Sequence, residues 1–189
     1  MKAKSLISKI GNAPLRVKDL ARIGVSRNEL NRLLADNTLL RLGRGVYQHA
    51  SSDLNDENLF RSATLRIRGP SAVCLISALA HYNLTDEIPK KTWLLVDVNS
   101  RSYHKDIRLF RSHHPHWKIG IVNSEGYRIT NIERTIVDCL VYQARIGSIG
   151  IEGLKRALRE KRTTLAKIVQ MADKLQVSHR ILQYVQVLS

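Results

Sequence analysis

Between Leu15 and Gln48 the chain reads LRVKDLARIGVSRNELNRLLADNTLLRLGRGVYQ, and no other stretch restricts the fold so tightly. Lys18 to Ile23 is long enough for a short helix with Leu20, Ala21 and Ile23 facing inward, and Gly24 stands where paired helices turn. Ser26-Arg27-Asn28-Glu29 then has the S-x-x-E pattern of a capping box, in which the hydroxyl accepts from the N3 amide and the carboxylate from the N-cap amide. A second helix is therefore expected from Ser26 to Asp36. An advance of about 100° per residue puts Leu30, Leu33 and Leu34 on one side. Asn28, Asn31 and Arg32 fall on the other, with Arg27 at the flank. Thr38 to Leu42, Gly43-Arg44-Gly45 and Val46-Tyr47 read as a two-stranded ribbon whose tip holds Arg44 between glycines.

The pattern is that of a winged helix-turn-helix, expected over residues 1–50. A recognition helix enters the major groove by its N-terminal part, where Arg matches guanine and Asn matches adenine. An arginine on a wing can meet phosphate or a narrow minor groove. The plainer alternative is a small helical domain with a solvated basic face. Cap, turn and ribbon coincide with the charge, which favours duplex DNA. Composition agrees, because 31 Lys and Arg against 16 Asp and Glu give a net charge of +15. Such a balance points to an anionic partner, and without a long apolar run nucleic acid is favoured over a bilayer as that partner, so no membrane is expected. Residues 1–50 hold 10 Lys/Arg against 3 Asp/Glu and the remainder 21 against 13, so the basic excess is denser at the start.

At 189 residues, with the motif confined to the first quarter, two domains are expected, 1–50 and 57–189. Ser5 to Ile10 has the spacing of a third helix for the first domain. The polar run 51–56 reads as a linker. Beyond it, 58–68 is expected to be helical with Leu59, Ala63 and Ile67 inward, and Ser71 to cap a helix through Leu75, Ala78, Leu79 and Tyr82. Strands are expected at 92–98, 107–110, 118–122 and 126–129, in a small, mostly antiparallel sheet. Thr130-Asn131-Ile132-Glu133 has the form of another capping box, and helices follow at 150–162, 165–175 and 179–188. The fold class is thus α+β with a helical C-terminal end. Met1-Lys-Ala-Lys is charged like a signal peptide, but the segment after it breaks up before any apolar core, so the protein is expected to be cytoplasmic. Cys74 and Cys139 lie in separate apolar runs and are expected to be buried free thiols.

Chemistry leaves few traces. Two-metal phosphoryl transfer needs clustered acids, yet the chain has no Asp-x-Asp and no Asp/Glu-x-Lys. A Gly-Lys-Ser/Thr phosphate loop is absent as well. His113-His114-Pro115-His116 is the one metal-like cluster, and without finger spacing it reads as solvated loop histidines. No catalytic residue, cofactor or metal is expected. Asp138 stands one turn after Arg134, the spacing of an ion pair. Lys155, Arg156 and Arg159 dominate one face of the 150–162 helix, which is either solvated or a further phosphate contact, and Arg16 and Lys18 are similar candidates near the helix pair.

Leu39 to Tyr47, then Ser77-Ala78-Leu79-Ala80-His81-Tyr82-Asn83-Leu84-Thr85 with Pro89 after it, then Thr130 to Leu140 resemble the AbiE-type abortive-infection antitoxins. The resemblance implies an N-terminal winged helix and a C-terminal antitoxin domain. It also implies a bacterial repressor that binds promoter inverted repeats in double-stranded DNA and silences its own toxin-antitoxin operon. A nucleotidyltransferase-like toxin would be antagonised, in the type IV manner that needs no stable complex. Carried over by position, Arg27, Asn28, Asn31 and Arg32 would read DNA from the helix, with Arg41 and Arg44 on the wing. The alternatives are an antitoxin acting mainly by direct contact with the toxin, a stand-alone transcriptional regulator, and a metal-dependent nuclease.

Overall fold

The computed structural model describes residues 9–53, 55–112, 115 and 117–188. It separates into two units, residues 1–68 and 69–189. The first is built as β1 (Leu15–Arg16), α1 (Val17–Arg22), α2 (Arg27–Ala35), β2 (Leu39–Gly43), β3 (Val46–His49) and α3 (Asp56–Arg66). Gly24, at φ +93°, makes the turn between the helices. Ile10, Leu20, Val25, Leu30, Leu33, Leu39 and Tyr47 form one apolar core. Burying each of those leucines is worth about 1.5–3 kcal/mol, so α2 is pinned by its inner face. Ala21, expected inside, is exposed. Of the helix expected at 5–10, all but Lys9 and Ile10 lies outside the described residues.

The three strands order β1-β3-β2, all antiparallel. The sequence gives no sign of β1. Two residues have no periodicity of their own, and Leu15 and Arg16 are strand only by pairing with Tyr47 and Val46.

The expected linker is a correction. Asn55 caps α3 by accepting from the Asn58 amide at 2.9 Å. The helix then belongs to the first unit, where Arg66 donates to Leu42 O and Arg16 to Leu65 O and Ile67 O. Its inward stripe is Phe60, Ala63 and Ile67, while Leu59 is 45% exposed.

The second unit contains β4 (Ser71–Val73), α4 (Leu75–His81), β5 (Thr92–Asp97), β6 (Ile107–Ser112), β7 (Ile121–Ser124) and β8 (Tyr127–Thr130). Helices α5 (Ile132–Val141), α6 (Gln143–Ile146), α7 (Ile149–Arg159), α8 (Leu165–Lys174) and α9 (Ser178–Leu188) complete it. The sheet order is β6-β5-β4-β8-β7. It is mixed rather than mostly antiparallel, because β5 runs parallel to β6 and β4 parallel to β8. Ser71–Val73, expected to open a helix, is the central strand. All three of its residues are buried, so it shows no alternation to betray a strand.

The segments Ser77–Thr85 and Thr130–Leu140 meet in this unit. Tyr82 Oη donates to Thr130 O at 3.0 Å, and α4 packs on α5. The capping box expected at Thr130 does not form. Asn131 caps α5 by accepting from the Arg134 amide, Thr130 ends β8 with its hydroxyl 2.7 Å from Thr135 Oγ1, and the Glu133 carboxylate accepts from Thr163 Oγ1. The expected pair of Arg134 and Asp138 does form, at 2.7 Å and fully buried. Arg134 also donates to Trp117 O and Ile119 O. That satisfies a charge whose desolvation the ion pair alone would struggle to offset. Burial nevertheless pushes the Asp138 carboxyl above its usual range, with Arg134 opposing the shift. Cys74 and Cys139 are free and buried, and burial raises both thiols well above their ordinary value.

Candidate nucleic-acid interface

Ser26 begins α2 by accepting from the Glu29 amide at 3.2 Å. Only this half of the expected capping box is used. The Glu29 carboxylate turns along the helix to Arg32, with contacts of 2.6 and 3.2 Å to Nη2 and Nε. Arg32 is exposed but is not a free cation.

Arg27, Asn28 and Asn31 are exposed and make no hydrogen bond or ion pair with their side chains among the described residues. Opposite them, Leu30 and Leu33 are 6% and 2% exposed. The helix therefore presents one guanidinium and two carboxamides on a face it cannot rotate away without unburying its leucines. An open groove of about 500 Å³ runs beside this face between α1, α2 and Tyr47, with Arg27 and Asn31 among its lining. Val17, 49% exposed, completes that lining; an apolar residue at the first position of a helix was the only sequence sign of it.

The hairpin of β2 and β3 carries Arg44 at its tip, exposed and unpaired among the described residues. Gly45 has φ +73°, a conformation an L side chain rarely adopts, and Gly45 O accepts from the Val17 amide at 3.0 Å. The register shifts between Arg41 and Gly43, and a Cβ at Gly43 would run into the Arg66 side chain. Gly45 is thus set by its backbone conformation, and a side chain at Gly43 would require Arg66 to move. Arg41 is exposed, with its Nε donating to Gly43 O at 3.3 Å, so its guanidinium is tied to the hairpin's own backbone.

The wider candidates separate. Lys18 is exposed. Arg16 is half-buried, with its guanidinium donating to the carbonyls of Leu65 and Ile67. In the second unit Lys155 and Arg159 are exposed, whereas Arg156 grips Asp86 with three contacts of 3.0–3.3 Å and lies 3.8 Å from Glu160. Its charge is already matched. Among the described residues there is no group of three potential metal ligands, and no helix is long and apolar enough to cross a membrane. His113, His114 and His116 lie outside the described residues.

A basic helix pair with a glycine-bounded hairpin, on a chain whose second unit is α+β, is the class these elements define. Residues 11–49, which span the pair and the hairpin, match the family model described as a transcriptional regulator, AbiEi antitoxin. The resemblance to AbiE-type antitoxins holds over that segment. Ser77–Thr85 and Thr130–Leu140 fall outside it, and their described contacts are those of a packed core. No curated protein matches the chain.

Proposed function

We propose that the first unit is a winged helix that reads operator DNA and that the chain is an antitoxin repressing its own toxin-antitoxin operon. The observation that carries this is the outer face of α2, where Arg27, Asn28 and Asn31 stand exposed, and unpaired among the described residues, over a leucine-pinned inner face. Guanidinium and carboxamide are the groups that pair bidentately with guanine and adenine in a major groove. Arg44, at the hairpin tip, contributes a phosphate or minor-groove contact that fixes orientation. Arg32 and Arg41 join only by exchanging their present partners. Repression follows by occupation of the promoter and needs no chemical step. The toxin that the chain antagonises is, as the resemblance to AbiE-type antitoxins implies, a nucleotidyltransferase-like enzyme.

Fluorescence anisotropy with the duplex upstream of the gene and a scrambled duplex tests the reading. Arg27→Ala and Asn31→Ala each cost about 1–3 kcal/mol on the operator and little on scrambled DNA. Arg44→Ala weakens both similarly. Equal affinity of all three variants and wild type for both duplexes refutes the assignment.

A further inference from the structure

The second unit holds a cationic cavity that the proposed operator contact does not use. It is recessed, about 270 Å³, between the edge strand β6 and the junction of α5 and α6. Trp93, Arg108, Phe110, Arg111, Tyr142 and Arg145 supply its chemistry. No carboxylate is among its described lining residues. The three arginines are instead held by neutral partners. Arg108 lies 4.6 Å over the Trp93 ring, to which it is directly paired in register across β5 and β6. Arg111 Nε donates to Ser100 O at 3.1 Å, and Arg145 lies 6.0 Å over Tyr142. Phe110 and Tyr142 meet edge-to-face at 4.4 Å.

Three arginines line one recess whose described lining holds no acid, an arrangement that an anion stabilises. Stacking leaves a guanidinium's edge N–H groups free, and those form the bidentate fork that fits phosphate oxygens. Arg108 is exposed, so its plane also offers a base a surface to stack on, beside the aromatic walls. The volume is near the lower end of small-ligand sites, which begin at about 300 Å³. It suits one nucleotide unit rather than a continuous duplex backbone.

We propose that this cavity binds a nucleoside phosphomonoester, the phosphate on the three arginines and the base against the aromatic wall. The same chemistry is offered by a free nucleotide and by the 5′-phosphorylated end of a strand. The proposal is independent of operator recognition by α2.

Calorimetric titration of the full chain with AMP, adenosine, and two short single strands differing only in a 5′-phosphate tests it. AMP or the phosphorylated strand, or both, bind at least about tenfold tighter than the matching phosphate-free probe. Whichever of the two binds tighter names the source. Arg108→Gln and Arg145→Gln, both at exposed positions, each lose about tenfold or more, while Lys174→Gln, which removes the same charge elsewhere, does not. Thermal melts matching wild type verify that the variants fold. Adenosine binding as tightly as AMP, no binding at millimolar concentration, or equal losses in Arg145→Gln and Lys174→Gln would overturn the proposal.

Discussion

Glu29 is offered two uses by its position, and the choice decides what α2 can present. As the third residue of the helix it could return to the Ser26 amide, but its carboxylate pairs with Arg32 on the exposed face. An exposed pair of this kind adds little stability, median about 0–1 kcal/mol, yet it occupies a guanidinium and sets a negative charge beside Arg27 and Asn28. Glu29→Gln is therefore expected to raise duplex affinity while shifting the melting temperature little, since Gln also serves at this helix position. In the wild-type background Arg32→Ala should cost less affinity than Arg27→Ala. Anisotropy titrations at one salt concentration compare them, and weaker binding by Glu29→Gln contradicts the account.

Tyr82 gives a second residue-level expectation. Burial pushes its hydroxyl up to about 12 from an ordinary 10.0, with Tyr127 and Glu133 adding to the rise and Arg162 opposing it. Between those values the unfolded chain has lost this proton and the folded chain has kept it. The group's contribution is thus fully present below pH 10 and is lost as pH rises towards 12. Tyr82→Phe should lack that alkaline component in denaturation measured across the window, and at neutral pH should lose about 1 kcal/mol with the bond to Thr130 O.

At the scale of elements, α7 approaches α5 by way of glycine. A Cβ on Gly150 would lie 2.8 Å from Cys139 Cβ and 2.9 Å from Cys139 C, and backbone cannot step aside. At Gly153 the nearest atom is Leu79 Cδ2 at 3.0 Å, the movable end of a side chain. Helix propensity alone favours Ala at both places, by up to about 1 kcal/mol. Packing reverses the sign at one of them. Gly150→Ala should destabilise by about 1–3 kcal/mol and Gly153→Ala should be near neutral, as measured by urea denaturation. The same elements explain what could be read from sequence. Helix α2, the hairpin and the Arg134–Asp138 pair were legible because cap, periodicity and a one-turn spacing are local signals. Strands β1 and β4 were not, since two and three residues become strand only through partners. Arg16 and Arg156 were misread as available cations for a related reason. Their partners lie 49 and 70 residues away, where no spacing rule reaches. The direction of β6 was hidden likewise, because the stretch from Val98 to Asp106 returns it parallel to β5 with no helix to announce a crossover.

For the whole molecule the question is how the net charge of +15 is used. The first unit carries 13 Lys/Arg against 6 Asp/Glu and the second 18 against 10, so both are cationic. Several of these charges are spent internally, on carbonyls at Arg16, on Glu29 at Arg32, on Asp138 at Arg134 and on Asp86 at Arg156. Lys155 and Arg159 remain exposed on α7, unmatched among the described residues. If the first unit sits on an operator as proposed, the second is tethered to a polyanion, and its unmatched cations gain by displacing condensed counterions. Each phosphate neutralised adds about 0.9 to the steepness of the log affinity against log salt plot. Arg44→Ala should make the slope shallower by about that amount, and Lys155→Gln with Arg159→Gln by up to about twice it. Specificity for the operator over scrambled DNA should survive the α7 pair, because phosphate carries no sequence. A slope unchanged by the α7 pair would confine the duplex to the first unit and leave the charge of the second for the phosphomonoester cavity.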